Sequence, residues 1–434
     1  MAILTSLFSG VSGLNANGAA LSVIGNNIAN VNTVGFKSSR ASFADVLSQS
    51  LGGAAGTSQI GRGVLLSSVG ANFTQGSFET TANGLDLGVD GDGFFLVQDT
   101  AGATFYTRAG QFSVNKDGDL VNPEGLALQG YQADANGAII GTLSGINVSS
   151  STTPPNATQT VRIVSNLDSR ETEIPTGFDS TDPTGTSHFS TAISVYDSLG
   201  NSHLVTAYFT KVDTGVAGNT WQWSAVSDGS AGSAVMGRGY LGFDTSGTLT
   251  TESATPPAGL PAAFSDFDFT GGATQSQAIT FNFGTSLAEG GTGLDGTTQF
   301  GSTSATIFQN QDGYASGALR SVGVNQEGIV TGLFTNGQTR VLGQVALGIF
   351  NSPQGLTRMG RNLYAESSDS GQPITGFPNS AGRGRLLPSS LELSNVDLAE
   401  EFIRMITAQR GFQANSRVIT TTDSILEELV NLKR

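Results

Sequence analysis

The sequence predicts an α+β fold that is mainly β. Paired N- and C-terminal helices form an inner, coiled-coil-like domain, and two nested β-rich domains lie outside it. Three observations predict this. Apolar residues recur every seven positions at both ends of the chain. Between the ends, alternating apolar positions are cut by Asp-Gly and Asn-Gly turns. Three long polar stretches divide the β-rich part into segments.

The first helix carries Leu7, Leu14, Leu21 and Ile28 at heptad spacing, with Leu4, Val11, Ile24 and Val31 three or four positions away. Its other faces are Ser, Asn, Ala and Gly, and the first charged side chain is Lys37. Gly10, Gly13, Gly18 and Gly25 each weaken an isolated helix by about 1 kcal/mol relative to Ala. A helix exposed on one side of a monomer normally carries charge there. Lacking it, this helix suits burial on most sides. The helix is expected to stop in "GNNIANVNTVGFKSS", where Asn26, Asn27, Asn30 and Asn32 favour local backbone bonding, Gly35 permits a turn and Phe36 is an anchor.

The last helix repeats Leu398, Met405, Phe412, Ile419 and Leu426, and Phe402, Leu429 and Val430 extend the stripe. Ser394 and Asn395 are expected N-caps. Asp397, Glu400 and Glu401 fall where the helix dipole favours acids, and Lys433 and Arg434 where it favours cations. Its outer face is charged (Arg404, Arg410, Arg417, Asp423, Glu427, Glu428). One such helix covers one side of the uncharged helix. The remaining cover is expected from other copies of the chain. The stripes, together with Asn26, Asn27, Asn30, Gly35 and Phe36, form the expected self-assembly interface.

The interior reads as strands. Residues 85–97 and 105–121 alternate around Asp-Gly turns, while 192–209 and 329–350 read as hairpins, the latter turning at Asn336-Gly337. Polar breaks at 148–160, 284–305 and 366–390 give the expected plan. Residues 1–36 and 391–434 make the helical polymerisation domain, and 37–71 and 366–390 an extended linker. A middle β domain takes 72–147 and 306–365, and an outer β domain, 148–305, is inserted into it.

No motif for catalysis survives its context. "GRGYLG" (237–242) matches G-x-G-x-x-G, but turn and strand residues follow it where a dinucleotide site needs a helix. "VDGDGF" and "NKDGDL" lack the Glu and ligand order of a calcium loop and read as hairpin turns. His188 and His203 have no nucleophile elbow beside them, and His203 reads as a solvated strand residue. Chance accounts for the sequons at Asn72, Asn147 and Asn156. No enzyme activity, cofactor or metal is expected.

Composition narrows the partners. The formal charge of -15 disfavours nucleic acid and anionic membranes. Gly is 59 of 434 residues, and only 13% are charged, which suits β-rich surfaces covered by neighbours. Cysteine is absent, so stability must come from packing and assembly. No Sec-type signal peptide and no membrane-spanning segment are expected.

Three stretches, in order, resemble the bacterial flagellar axial (rod and hook) protein family. They are "LSVIGNNIANVNTVGFKSSRASFADV" (21–46), "NGLDLGVDGDGFFLV" with "YTRAGQFSVNKDGDLVNPEGLALQGY", and "SNVDLAEEFIRMITAQRGFQANSRVITTTDSILEELVNLKR" (394–434). The length, the insertion and "GFKSSRASFADV" look like the branch that forms the hook. The resemblance implies a structural subunit of a curved helical tube, a universal joint that passes torque from rod to filament around a central export channel. It also implies type III export without a cleaved signal, and a distal rod protein, hook cap and hook–filament junction protein as neighbours. Two alternatives stay open: a distal rod or other axial protein, and a secreted β-rich adhesin.

Overall fold

The computed structural model describes the chain except residues 1, 47–48, 51–58, 135–136, 150–151, 213–218, 228–233, 254–260 and 432–434, and the side chains of 2–4, 49–50, 59–60, 253 and 429–430. The expected stripe side chains Leu4, Leu429 and Val430 and the terminal cations Lys433 and Arg434 thus lie outside the described residues. The described chain is mainly β, with one long helix at each end. It divides into two compact units. One comprises 1–151, 320–333 and 339–434; the other comprises 152–319 and 334–338.

In the first unit, α1 spans Ala2–Ala29 and α2 spans Leu398–Asn431. The cap of α2 is Asp397, not Ser394 or Asn395. Its Oδ1 accepts from the N–H groups of Ala399 at 2.8 Å and Glu400 at 3.2 Å. Asn395 is unavailable because its side chain is bonded elsewhere, and Ser394 accepts only from Val396 N–H. α1 stops at its asparagines: Asn30 Nδ2 donates to the Asn26 carbonyl at 2.8 Å, closing the last turn. The expectation that nothing here could span a membrane needs correcting. Thr5–Ala29 is long and apolar enough by length and composition, because Leu, Val, Ile and Ala outweigh its uncharged polar residues. That test is passed equally by helices that pack on protein, as α1 does on α2.

After α1 the chain enters β1 (Ser39–Asp45), antiparallel to β2 (Val64–Ala71), with a bulge at Ser42/Phe43. The β body joins segments far apart in sequence. Its strands run in the order Thr339–Val345, Ala127–Ala133, Phe94–Gln98, Thr104–Thr107, Leu363–Ala365, Thr357–Gly360. The sheet therefore joins strands from both sides of the insertion: Ala127–Ala133 pairs with Thr339–Val345, and Thr104–Thr107 with Leu363–Ala365. Beneath them Phe94, Leu96, Tyr106, Ala346, Phe350, Leu356 and Tyr364 form a core, with Tyr106 edge-on to Phe350 at 4.8 Å.

The second unit is built on an antiparallel meander of Phe189–Tyr196, Ser202–Val212, Thr220–Ser227 and Val235–Phe243. A three-stranded sheet of Thr280–Asn282, Thr160–Asn166 and Ala305–Gln311 shares its aromatic core. "GRGYLG" lies in the strand Val235–Phe243. A Cβ at Gly239 would meet the Trp223 indole nitrogen, and one at Gly237 would lie 3.2 Å from the same ring. The glycines make room for an indole, not for a phosphate. "NKDGDL" is a turn in which Asn115 Oδ1 accepts from the N–H groups of Asp117 and Asp119. His203 is not solvated as expected. Its side chain is 12% exposed, bonds buried Asp197 at 3.0 Å and stacks on Phe269 at 4.2 Å.

Candidate functional site

The two helices run antiparallel. Ser6 Oγ lies 3.5 Å from Thr422 Oγ1, Gly13 faces Asn415, and Asn17 faces Gly411. The seam residues step by threes and fours, as a coiled-coil seam does, but most are small or polar, with Ile419 seated on Gly10. A Cβ at Gly13 would sit 2.7 Å from Asn415 Oδ1, and one at Gly411 2.6 Å from Asn17 Oδ1. Asn17 and Asn415 donate to the Gly13 and Gly411 carbonyls of their own helices, so their amides are satisfied without charge. Absent side chains thus let the two backbones approach closely.

The heptad side chains other than Ile419 flank this seam. Ile24 is buried, whereas Leu7, Leu14, Leu21 and Ile28 are half-buried and Val11 is exposed. On α2, Met405, Ile419 and Leu426 are half-buried; Leu398, Phe402 and Phe412 are exposed. Beside them Phe8 is 64%, Ile403 66% and Ile406 55% exposed. Both helices therefore carry apolar flanks that their own pairing leaves uncovered.

The seam can be tested directly in a chain that has no cysteine of its own. Ser6→Cys with Thr422→Cys is expected to form an intramolecular disulfide on mild oxidation, seen as a faster-migrating monomer on a non-reducing gel. Phe8→Cys with Thr422→Cys is expected to stay open. A ladder of cross-linked multimers from the first pair would place the partner of α1 in another copy.

At the base of the helices, a set of directional bonds ties both chain ends to the β body. Asn27 is fully buried. Its Nδ2 donates to the Ser39 carbonyl and its Oδ1 accepts from Ser39 N–H, both at 2.9 Å, mimicking a strand pair. Gly35, at φ +69°, packs on the backbone of Arg108 and Ala109, and its N–H donates to the Glu392 carbonyl at 2.7 Å. Phe36 is buried beside it. Lys37, the first charge in the chain, is wholly buried and pairs with Glu392 at 2.6 Å. Glu392 also takes Arg108 at 3.3 Å, and that guanidinium stacks over Phe94 at 5.2 Å. Burial pushes the Lys37 ammonium below its usual pKa, against the pull of Glu392; Arg108 is pushed the same way for the same reason.

Asn395 completes the knot. Its Oδ1 accepts from Ser38 N–H at 2.8 Å, and its Nδ2 donates to the carbonyls of Asn72 and Thr74. Arg358 donates to Ser39 Oγ and the Lys37 carbonyl, and Asn362 to the Val34 carbonyl. Of the expected site residues, Asn27, Gly35 and Phe36 meet here. Asn26 is exposed, while Asn30 and Val31 are half-buried. Sequence reasoning missed Lys37, Arg108, Arg358, Glu392 and the role of Asn395. The one available signal was position: Lys37 breaks a long uncharged run, and Glu392 stands alone between Leu391 and Leu393.

Comparison with known proteins follows the same segments. The family model for the flagella basal body rod protein matches 7–37, that for the flagellar hook protein FlgE/F/G D1 domain 88–166, that for the flagellar basal body protein FlaE D2 domain 166–314, and that for the flagellar basal body rod FlgEFG protein C-terminal region 387–432. The flagellar hook protein FlgE of Treponema pallidum is 35% identical over the whole of both chains. That of Borreliella burgdorferi is 38% identical over 99% of this chain and all of its own. That of Escherichia coli is 34% identical over 98% of each.

Proposed function

We infer that this chain, which belongs to the flagellar hook protein family, polymerises through its paired terminal helices into a curved tube. It is a structural subunit of the flagellar hook. The observation that carries the mechanism is the apolar flank left uncovered on both helices. An open helical polymer joins different patches of successive subunits, and these flanks supply them. α2 faces the central channel, because its outer face alone carries charge; α1 lies outside it, covered by neighbouring copies. Of the stripes, Leu7, Val11, Leu14, Leu21 and Ile28, and Leu398, Phe402, Met405, Phe412 and Leu426, are the subunit contacts; Ile24 is buried and Ile419 seated on Gly10 within the chain.

The tube passes torque from rod to filament, and subunits change their spacing as it turns. The inserted β domain, with its Ser, Thr and Gly surface, provides contacts that exchange at small cost. No reaction is assigned. The proposed neighbours are a distal rod protein, a hook cap and a hook–filament junction protein, with export by the flagellar type III apparatus.

Deletion of 398–434 is expected to abolish tubes seen by negative-stain microscopy. Both tryptophans, Trp221 and Trp223, lie in the second unit. Their fluorescence should keep its native spectrum, and amide exchange at Ala127–Ala133 should keep its protection in the first unit, which together separate lost assembly from lost folding. Tubes formed by the truncated chain would overturn this reading.

A further inference from the structure

Glu392 has more to do than an ordinary buried acid. Its side chain is wholly buried. Oε1 accepts from Lys37 Nζ at 2.6 Å and Gly76 N–H at 2.9 Å; Oε2 accepts from Arg108 Nη1 at 3.3 Å. Its carbonyl takes Gly35 N–H at 2.7 Å. The donors come from the chain leaving α1, from the approach to the strand Phe78–Thr80, and from the end of the strand Thr104–Thr107. Glu392 itself ends the strand Ser390–Glu392, shortly before α2 begins. One carboxylate thus joins the outgoing and returning chain to the β body.

Stability alone is a poor reason for this arrangement. Apolar groups of similar volume often replace a buried ion set at no loss of stability. What apolar packing lacks is direction: it tolerates small rotations that charge-assisted hydrogen bonds resist. The seam between α1 and α2, built of glycine and asparagine, holds the helices to each other and contains nothing that fixes their direction against the β body. The directional bonds at the base of the pair do, and the charged ones among them converge on Glu392 from Lys37 and Arg108.

We propose that Glu392 is a positioning residue that sets the angle at which the helix pair leaves the β body, and through it the curvature of the polymer. This rests on the assembly reading above, because an angle repeated in every subunit becomes a property of the tube. The test compares full-length tubes of the parent with those of Lys37→Met/Arg108→Met/Glu392→Leu, which swaps the ion set for apolar groups, and of Glu392→Gln. The triple variant should fold, assemble, and give tubes whose mean curvature is shifted and more scattered. Glu392→Gln should shift curvature in tubes that still form. Variant tubes with parental curvature would overturn the proposal while leaving the assembly reading intact. A triple variant that fails to fold would assign the set to stability and overturn it too. Failure of the parent to form tubes would sink the assembly reading itself.

Discussion

Replacing Gly35 with alanine is expected to abolish assembly and to destabilise the first unit by about 2–5 kcal/mol. Two costs combine. The residue sits at φ +69°, where a side chain costs about 1–2 kcal/mol. A Cβ there would also lie 2.5 Å from Ala109 N and 2.6 Å from Arg108 C. These are backbone atoms of the β body and cannot rotate away, so forced overpacking adds about 1–3 kcal/mol. The displacement falls on the Gly35 N–H to Glu392 bond and on the adjoining Lys37, so the base of the helix pair is disturbed with the fold. Gly35→Asn separates the two costs. Asparagine tolerates the left-handed backbone but carries the same Cβ. It should remain defective, though less than alanine. Hydrogen exchange at Ala127–Ala133 reports the first unit; tryptophan fluorescence reports the second and should not change. Tubes of normal yield from Gly35→Ala would refute this close approach.

The helices were legible because large apolar side chains set the period by which helices are recognised, and both ends carry them at sevens. The face by which the helices meet was not legible for a related reason. Gly10, Gly13 and Gly411 act through missing atoms, which a search for apolar stripes passes over. The hairpins at 192–209 and 329–350 were readable from their turns, since Gly200 and Gly337 have positive φ. The ion set was hidden by distance: Lys37 and Glu392 are 355 positions apart, and no local pattern relates them. The asparagine run shows both cases. Asn30 bonds Asn26 within one turn, as its sequence position suggests. Asn27 spans twelve positions to bracket Ser39, which depends on where the chain goes after Gly35.

The second large effect concerns pH and the inserted unit. Glu252 lies against a cavity of about 330 Å³ lined by Trp223, Tyr240, Phe281 and Phe283, with Arg238 on its wall. Burial pushes its carboxyl from 4.5 up to about 7; Glu289 adds to this, and the Phe283 N–H, donating to Oε1 at 2.7 Å, opposes it. The folded state therefore holds a proton that the unfolded chain releases. Stability from this group is fully present below pH 4.5 and is lost as pH rises through about 7. After allowance for partial solvent screening, the loss is about 2–3 kcal/mol. Glu252→Gln keeps the acceptor for Phe283 N–H and cannot ionise. The variant should match the parent at pH 4.5 and exceed its stability by that amount at pH 8. Denaturant unfolding of the full chain, followed by tryptophan fluorescence, measures the difference, because Trp223 lines the same cavity. Taking variant minus parent removes the contribution of groups common to both. A difference that stays flat from pH 4.5 to 8 would show that Glu252 loses its proton over the same range in the folded unit as in the unfolded chain, and so is ionised at neutral pH. The burial of its carboxylate against the aromatic wall would then have to be offset by a cation, and among the described residues that line the cavity Arg238 is the one.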